Sequence, residues 1–213
     1  MRDDQYVVIF GSYARGDFNS NSDIDILLIN IDVSNVSEYV DLLKLPKLVI
    51  NYVMYNTTTF NQYYSQGSLF LYHIFTQGYV LYGNELEWNR LSNGFYVKNN
   101  FYDELDKIKS EISVYENLDI FSNYYMSALS NLFPLLKNFC IFSLANDGVY
   151  IFNKDECVMT MFHRKKQEGD FLILRDFYDA FAKDINDIEL KINPCSKEAR
   201  LLIGNVYNYI RFL

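Results

Sequence analysis

Residues 11–25 read Gly-Ser-Tyr-Ala-Arg-Gly-Asp-Phe-Asn-Ser-Asn-Ser-Asp-Ile-Asp, and their types suit the handling of phosphate and a hard cation. The apolar run Tyr6-Val7-Val8-Ile9-Phe10 predicts a buried strand that ends at a Gly-Ser turn opening a short helix. Gly11, lacking a Cβ, lets a ligand come close to the backbone. N–H groups freed at a helix start attract anions, and the Ser12 hydroxyl can donate to a phosphate oxygen. Asp23 and Asp25 are spaced by two at the start of a second apolar run, so strand geometry puts both carboxylates on one face. Ile24 and Ile26 then point the other way, into a core. Adjacent carboxylates repel unless a cation lies between them. Oxygen ligands of this kind suit Mg2+ held partly by substrate phosphates. Alone, a Gly-Ser turn is an ordinary structural turn and an Asp-x-Asp an ordinary solvated strand start. Joined, they point to one shared site for phosphoryl or nucleotidyl transfer.

The elements that must position these residues follow from hydrophobic period. Asp23 to Ile31 predicts a second strand, 35–44 a helix punctuated by Pro46, and Leu48 to Tyr55 a β-branched and aromatic third strand. Asn56-Thr57 suits a helix cap. Leu69 to Phe75 is an apolar helical stretch in which His73 is expected to pack as a core histidine. Gly78 to Gly83 predicts a short edge strand. Strands separated by helices imply an α/β layer arrangement. From about residue 100 the period changes. Phe101, Leu105, Ile108, Ile112 and Tyr115 form an amphipathic helical stripe. A long helix is predicted over Asp119–Ala145 with a kink at Pro134, then helices at about 153–166 and 169–185. Asn193-Pro194 predicts the start of a last helix, faced by Leu202, Val206, Tyr209 and Ile210. The fold class expected is α+β: a mixed sheet with flanking helices over residues 1–90, then a helical bundle over 100–213, joined by a connector at 83–100.

Composition bounds the function. The 213 residues are 50% hydrophobic and 22% charged, as in a globular protein with a real core. The formal net charge of −8 disfavours general nucleic-acid binding, which draws most of its affinity from neutralising phosphate. His163-Arg164-Lys165-Lys166 is a basic cluster, expected as a solvated helix end. Cys140, Cys157 and Cys195 are odd in number and contain no CxxC pair, so reduced thiols, buried as small hydrophobes, and a cytoplasmic setting are expected. No signal peptide is read at the N-terminus, and no stretch reaches the ~18 apolar residues of a membrane span.

Gly11-Ser12, ten residues, and then Asp23-x-Asp25 resembles the signature of the DNA polymerase β-like nucleotidyltransferase superfamily. The longer run GSYARGDFNSNSDIDILLI, with Ala14-Arg15-Gly16-Asp17 and Ser22 before the first acid, is similar to the minimal and the aminoglycoside (kanamycin-type) nucleotidyltransferases. The resemblance extends more loosely to Gly83, and the later helices resemble the helical partner domains of that group only in kind. It implies that Asp23 and Asp25 bind Mg2+, that Gly11 and Ser12, with Arg15, hold a triphosphate, and that pyrophosphate leaves. The donor implied is a nucleoside triphosphate, ATP by preference. The acceptor is a hydroxyl on a small molecule or protein, and a protein partner or second copy is expected. Such domains carry a third carboxylate on the next strand, and alignment puts Asn51 in its place. An amide offers a carbonyl oxygen but no charge and no basicity. Glu104 and Glu111 are then candidate bases from the helical half. The rival expectation is an antitoxin-like regulatory module that binds nucleotide or a partner without turnover. Related domains also carry a helix before the first strand. Here five residues precede Tyr6, so one sheet face is expected to be less covered or to be covered by the C-terminal half.

Overall fold

The structure, a computed structural model, describes residues 4–19, 22–32, 49–165 and 171–213. The helix expected over 35–44, Pro46 and Lys166 lie outside the described residues. The chain divides into two units, Met1–Lys98 and Asn99–Leu213.

The first unit is a four-stranded mixed sheet in the order β3-β2-β1-β4. Strand β1 (Tyr6–Phe10) is central and wholly buried, which explains why its sequence is an unbroken apolar run. Strand β2 (Ile24–Ile29) pairs with it antiparallel, placing Phe10 opposite Asp25 and Ile9 opposite Ile26. Strand β3 (Ile50–Tyr55) runs parallel to β2, with Asn51 opposite Asp25, and β4 (Tyr79–Tyr82) closes the other edge antiparallel to β1. Alternation sorts the side chains. Tyr6, Val8, Phe10, Leu27 and Ile29 pack under Phe60, Leu71, Ile74 and Trp88. Those four come from three helices: α2 (Thr57–Ser65), α3 (Leu69–Gln77) and α4 (Glu85–Asn93). Val7, Ile9, Ile24, Ile26 and Leu28 form a second core on the opposite face. None of them is more than 1% exposed, so this face of the sheet is buried as well.

Local chemistry starts and stops these helices. Asn56 Oδ1 accepts from the Thr59 backbone N–H at 2.8 Å, capping α2 as expected. The stretch expected to be a connector holds α4. Asn84 Oδ1 caps it by accepting from the Leu86 and Glu87 N–H groups, and Trp88 packs on Tyr6 and Phe75 at ring distances of 5.2 and 4.9 Å. Segment 94–98 is tied back through Gly67, whose carbonyl accepts from Lys98 N–H at 3.0 Å.

The second unit contains α5 (Tyr102–Glu111), 3-10 turns at Ile112–Glu116 and Leu118–Phe121, then α6 (Met126–Asn146), α7 (Lys154–Lys165), α8 (Ile173–Phe181) and α9 (Lys197–Phe212). Helix α6 is the centre, touched by α5, α7, α8 and α9. Leu129, Leu132, Leu136 and Leu144 of α6 are fully buried with Ile203 and Val206 of α9. The long helix begins at Met126 rather than Asp119, because Ser122 and Asn123 adopt left-handed φ values of 50° and 61° that break it. It then runs unbroken through Pro134. Helix α9 starts three residues later than Asn193-Pro194 suggested. Asn193 closes a turn instead, and Ser196 Oγ caps the helix by accepting from Ala199 N–H at 3.1 Å. Helix α6 is the one described helix long and apolar enough by length and composition to cross a membrane. Its apolar residues are the core of this unit. Cys140 and Cys157 are buried as expected, whereas Cys195 is exposed.

Candidate active site

The site begins where β1 runs out. Gly11 opens α1 (Gly11–Arg15) at φ 75°, a left-handed conformation that side chains resist. A Cβ built there would collide with Asp25 Oδ2, so the turn lies directly on that carboxyl group. Helix α1 ends at Gly16, φ 79°, whose N–H donates to Tyr13 O at 3.2 Å, and the Asp17 N–H donates to Ser12 O at 3.1 Å. The loop back to β2 is fastened by Ser22. Its hydroxyl accepts from the Asn19 N–H at 2.9 Å and donates to Asn19 Oδ1 at 3.2 Å. That accounts for a serine immediately before the first acid. The Ile24 N–H donates to Val49 O at 2.9 Å, extending the ladder with β3 to the foot of the acid pair.

Asp23 and Asp25 are both half-buried, and Ile24 between them is fully buried on the opposite face. Asn51, exposed on the edge strand, joins them. Its Nδ2 lies 3.1 Å from Asp23 Oδ2 and 3.5 Å from Asp25 Oδ1, donating toward both. Gly11, Asp23, Asp25 and Asn51 are thus one cluster, assembled from the end of β1, the start of β2 and the start of β3. The parallel β2–β3 register places Asn51 beside Asp25.

Arg15 is held by two partners. Its Nε donates to Asp17 Oδ2 at 3.1 Å, and its Nη1 lies 3.2 Å from His73 Nε2. His73 stands on α3, its ring edge-on to Phe10 with centroids 5.9 Å apart. The sequence placed His73 in a packed helix but gave no sign of this link, because 58 residues separate the pair. Glu104 and Glu111 stand on α5 of the second unit, Glu104 half-buried and Glu111 exposed, 3.9 Å from Lys107. His163 is exposed on α7.

The donor chemistry fits a hard divalent cation. Asp23 and Asp25 offer carboxylate oxygens, and Asn51 carries an amide oxygen on the group that already bridges them. Among the described residues no group of three or more His, Cys, Asp and Glu is placed to hold a metal.

Residues 3–87 match the family model described as polymerase beta, nucleotidyltransferase. No curated protein sequence matches the chain. Several solved structures are similar. A spectinomycin adenyltransferase from Enterococcus faecialis, solved with ATP and spectinomycin, is 13% identical over 99% of this chain and 93% of that one, with a TM-score of 0.47. A toxin–antitoxin structure with AMP-PNP is 23% identical over 44% of this chain and 72% of that one, with a TM-score of 0.28. A nucleotidyltransferase-like protein from Exiguobacterium sibiricum is 11% identical over 99% and 70%, with a TM-score of 0.39. The matched residues contain the whole described sheet, the Gly-Ser turn and the acid pair, so this N-terminal part of the chain is what is similar to the polymerase beta nucleotidyltransferase family.

Proposed function

We propose that the chain transfers a nucleoside monophosphate from a nucleoside triphosphate to a hydroxyl acceptor, with ATP as donor and Mg2+ as cofactor. One observation carries the reading: the Asp25 carboxyl group is pressed against Gly11, so the metal-binding face of β2 and the phosphate-binding turn share one site. The triphosphate tail lies at the Gly11-Ser12 turn, where a side chain on Gly11 would displace Asp25, and the Ser12 hydroxyl donates to a phosphate oxygen. Asp23 and Asp25 would hold the cation, and Asn51, whose Nδ2 faces both acids, would offer its amide oxygen once that side-chain amide turns over. When bound, that ion neutralises charge on the phosphates and polarises the phosphorus under attack. The acceptor oxygen bonds to the α-phosphorus as the α–β phosphoanhydride bond breaks. Pyrophosphate departs and the acceptor proton passes to a base. Asn51 cannot take that proton, because an amide is not a base.

A second reading rests on the same residue. With Asn51 where the family carries an acid, the domain binds nucleotide–metal without turnover, as a regulatory subunit.

Incubation with α-labelled ATP, Mg2+ and a panel of hydroxyl acceptors separates the two. The transfer reading expects label on an acceptor and released pyrophosphate, both abolished in Asp23→Ala and Asp25→Ala. Nucleotide binding with no transfer to any acceptor, unchanged in Asn51→Asp, supports the regulatory module. Transfer that appears only in Asn51→Asp shows that the missing acid is what limits the wild type. In either case Asn51→Asp, by adding a third anionic ligand, raises affinity for a divalent ion about tenfold, read by Mn2+ titration.

A further inference from the structure

We infer that His73 is a positioning residue for the phosphate turn, acting through Arg15. The inference rests on the proposed placement of a triphosphate at Gly11-Ser12. A guanidinium has donors and no acceptor, so at 3.2 Å the His73 Nε2 accepts from Arg15 Nη1 and the ring is in its neutral form at that nitrogen. His73 also packs edge-on to Phe10, the residue just before Gly11. The ring therefore touches the turn from both ends: the last residue of β1 and the last residue of α1. Between those ends lies Gly11, which has no slack, because even a Cβ would strike Asp25. A shift of α1 relative to α3 thus moves the turn against the carboxylate. Arg15 Nε is held from the other side by Asp17 at 3.1 Å, which leaves the guanidinium little freedom, and its side chain is only 17% exposed. His73 belongs neither to the acid pair nor to the turn, yet it sets where the turn sits.

Three substitutions separate this role from simple packing. His73→Gln carries an amide oxygen at about the reach of Nε2. His73→Asn carries the same group one methylene short. His73→Phe keeps the ring against Phe10 and removes the acceptor. Binding of a fluorescent ATP analogue with Mg2+ is measured for each, with Tm as the control for folding. We expect affinity to fall about tenfold in His73→Phe and His73→Asn, the scale of a lost hydrogen bond to a charged group, and to be restored within about threefold in His73→Gln. Arg15→Ala should weaken binding at least as much as His73→Phe, and the double variant no more than Arg15→Ala alone. Wild-type affinity in both His73→Phe and His73→Asn, or additive losses in the double variant, overturns the inference. If His73→Phe does not fold, the Gln and Asn pair decides alone: equal affinities there also overturn it. A separate control isolates the underlying reading. Binding that is absent in the wild type, or unaffected by Asp25→Asn, overturns the site itself. Binding lost in Asp25→Asn with His73 variants unaltered overturns only the role of His73.

Discussion

Gly11 is the residue at which backbone strain and chemistry meet. Its φ of 75° and the Asp25 carboxyl group against its Cα leave no room for a side chain. Gly16, five residues on, has a similar φ of 79° but nothing within 4 Å of a built Cβ. The pair therefore separates backbone cost from site cost. Gly11→Ala and Gly16→Ala each cost about 1–2 kcal/mol of stability from left-handed strain. Only Gly11→Ala, by displacing Asp25 or the turn, should also weaken metal-dependent ATP binding, by about tenfold or more. Denaturant titration and nucleotide binding on the two variants check this, and equal binding losses would contradict it. The turn, the acid pair and Asn51 were all legible in the sequence. The turn and the acid pair are read from residue type at short spacing and from strand period, whereas Asn51 is picked out only by the resemblance. The Arg15–His73 contact was not legible. No local rule relates α1 to a helix that begins more than 50 residues later, and the contact follows only from how α3 packs over β1.

At the scale of elements, strands and amphipathic helices were legible where period or an unbroken apolar run was long enough to read. Helix α4 was not, because only Trp88 is fully buried among its nine residues and the stretch reads as polar. Its signal was the cap: Asn84, with acidic Glu85 and Glu87 in the first turn. Asn84→Ala should destabilise the first unit by about 1 kcal/mol, since two backbone N–H groups lose their acceptor. Thermal unfolding measures the loss, and an unchanged Tm would show that Trp88 packing alone holds the helix. The later start of α6 has a different cause. Ser122 and Asn123 take left-handed backbone that composition does not announce, so an apolar pattern continuous from Ile120 hid a break. At the start of α9, the cap is Ser196, three residues beyond the Asn193 that the sequence suggests. Asn193 spends its side chain on the Cys195 N–H at 2.9 Å, leaving the helix to Ser196.

At the scale of the whole molecule, both units hold neutral ionisable groups away from water. Burial pushes the Cys157 thiol from its ordinary 9.0 up to about 12, and burial, with a smaller push from Tyr63, raises the Tyr55 hydroxyl from 10.0 to about 12. Burial also raises Cys140, Tyr115 and Tyr209. The unfolded chain releases these protons first, so the stability the groups provide is complete below about pH 9 and is lost as pH rises toward 12. The denaturation midpoint should therefore drop between pH 8.5 and about 11. A midpoint constant across that window would contradict the burial of these groups. The change of hydrophobic period near residue 100 lies close to the boundary between the two units, Lys98 and Asn99. No run in α6 is apolar throughout, since Ser, Asn, Pro and Lys interrupt it, yet its average hydropathy is that of a buried core helix.

The proposed function requires a cation held by Asp23 and Asp25 beside the Gly-Ser turn. Calorimetric titration of ATP into the protein with Mn2+ present, for the wild type and Asp25→Asn, tests it most directly. The prediction is saturable, metal-dependent binding in the wild type that weakens at least about tenfold in Asp25→Asn, with both proteins equally folded. Equal affinity in the two proteins, or wild-type binding that persists unchanged when the metal is chelated, would contradict it.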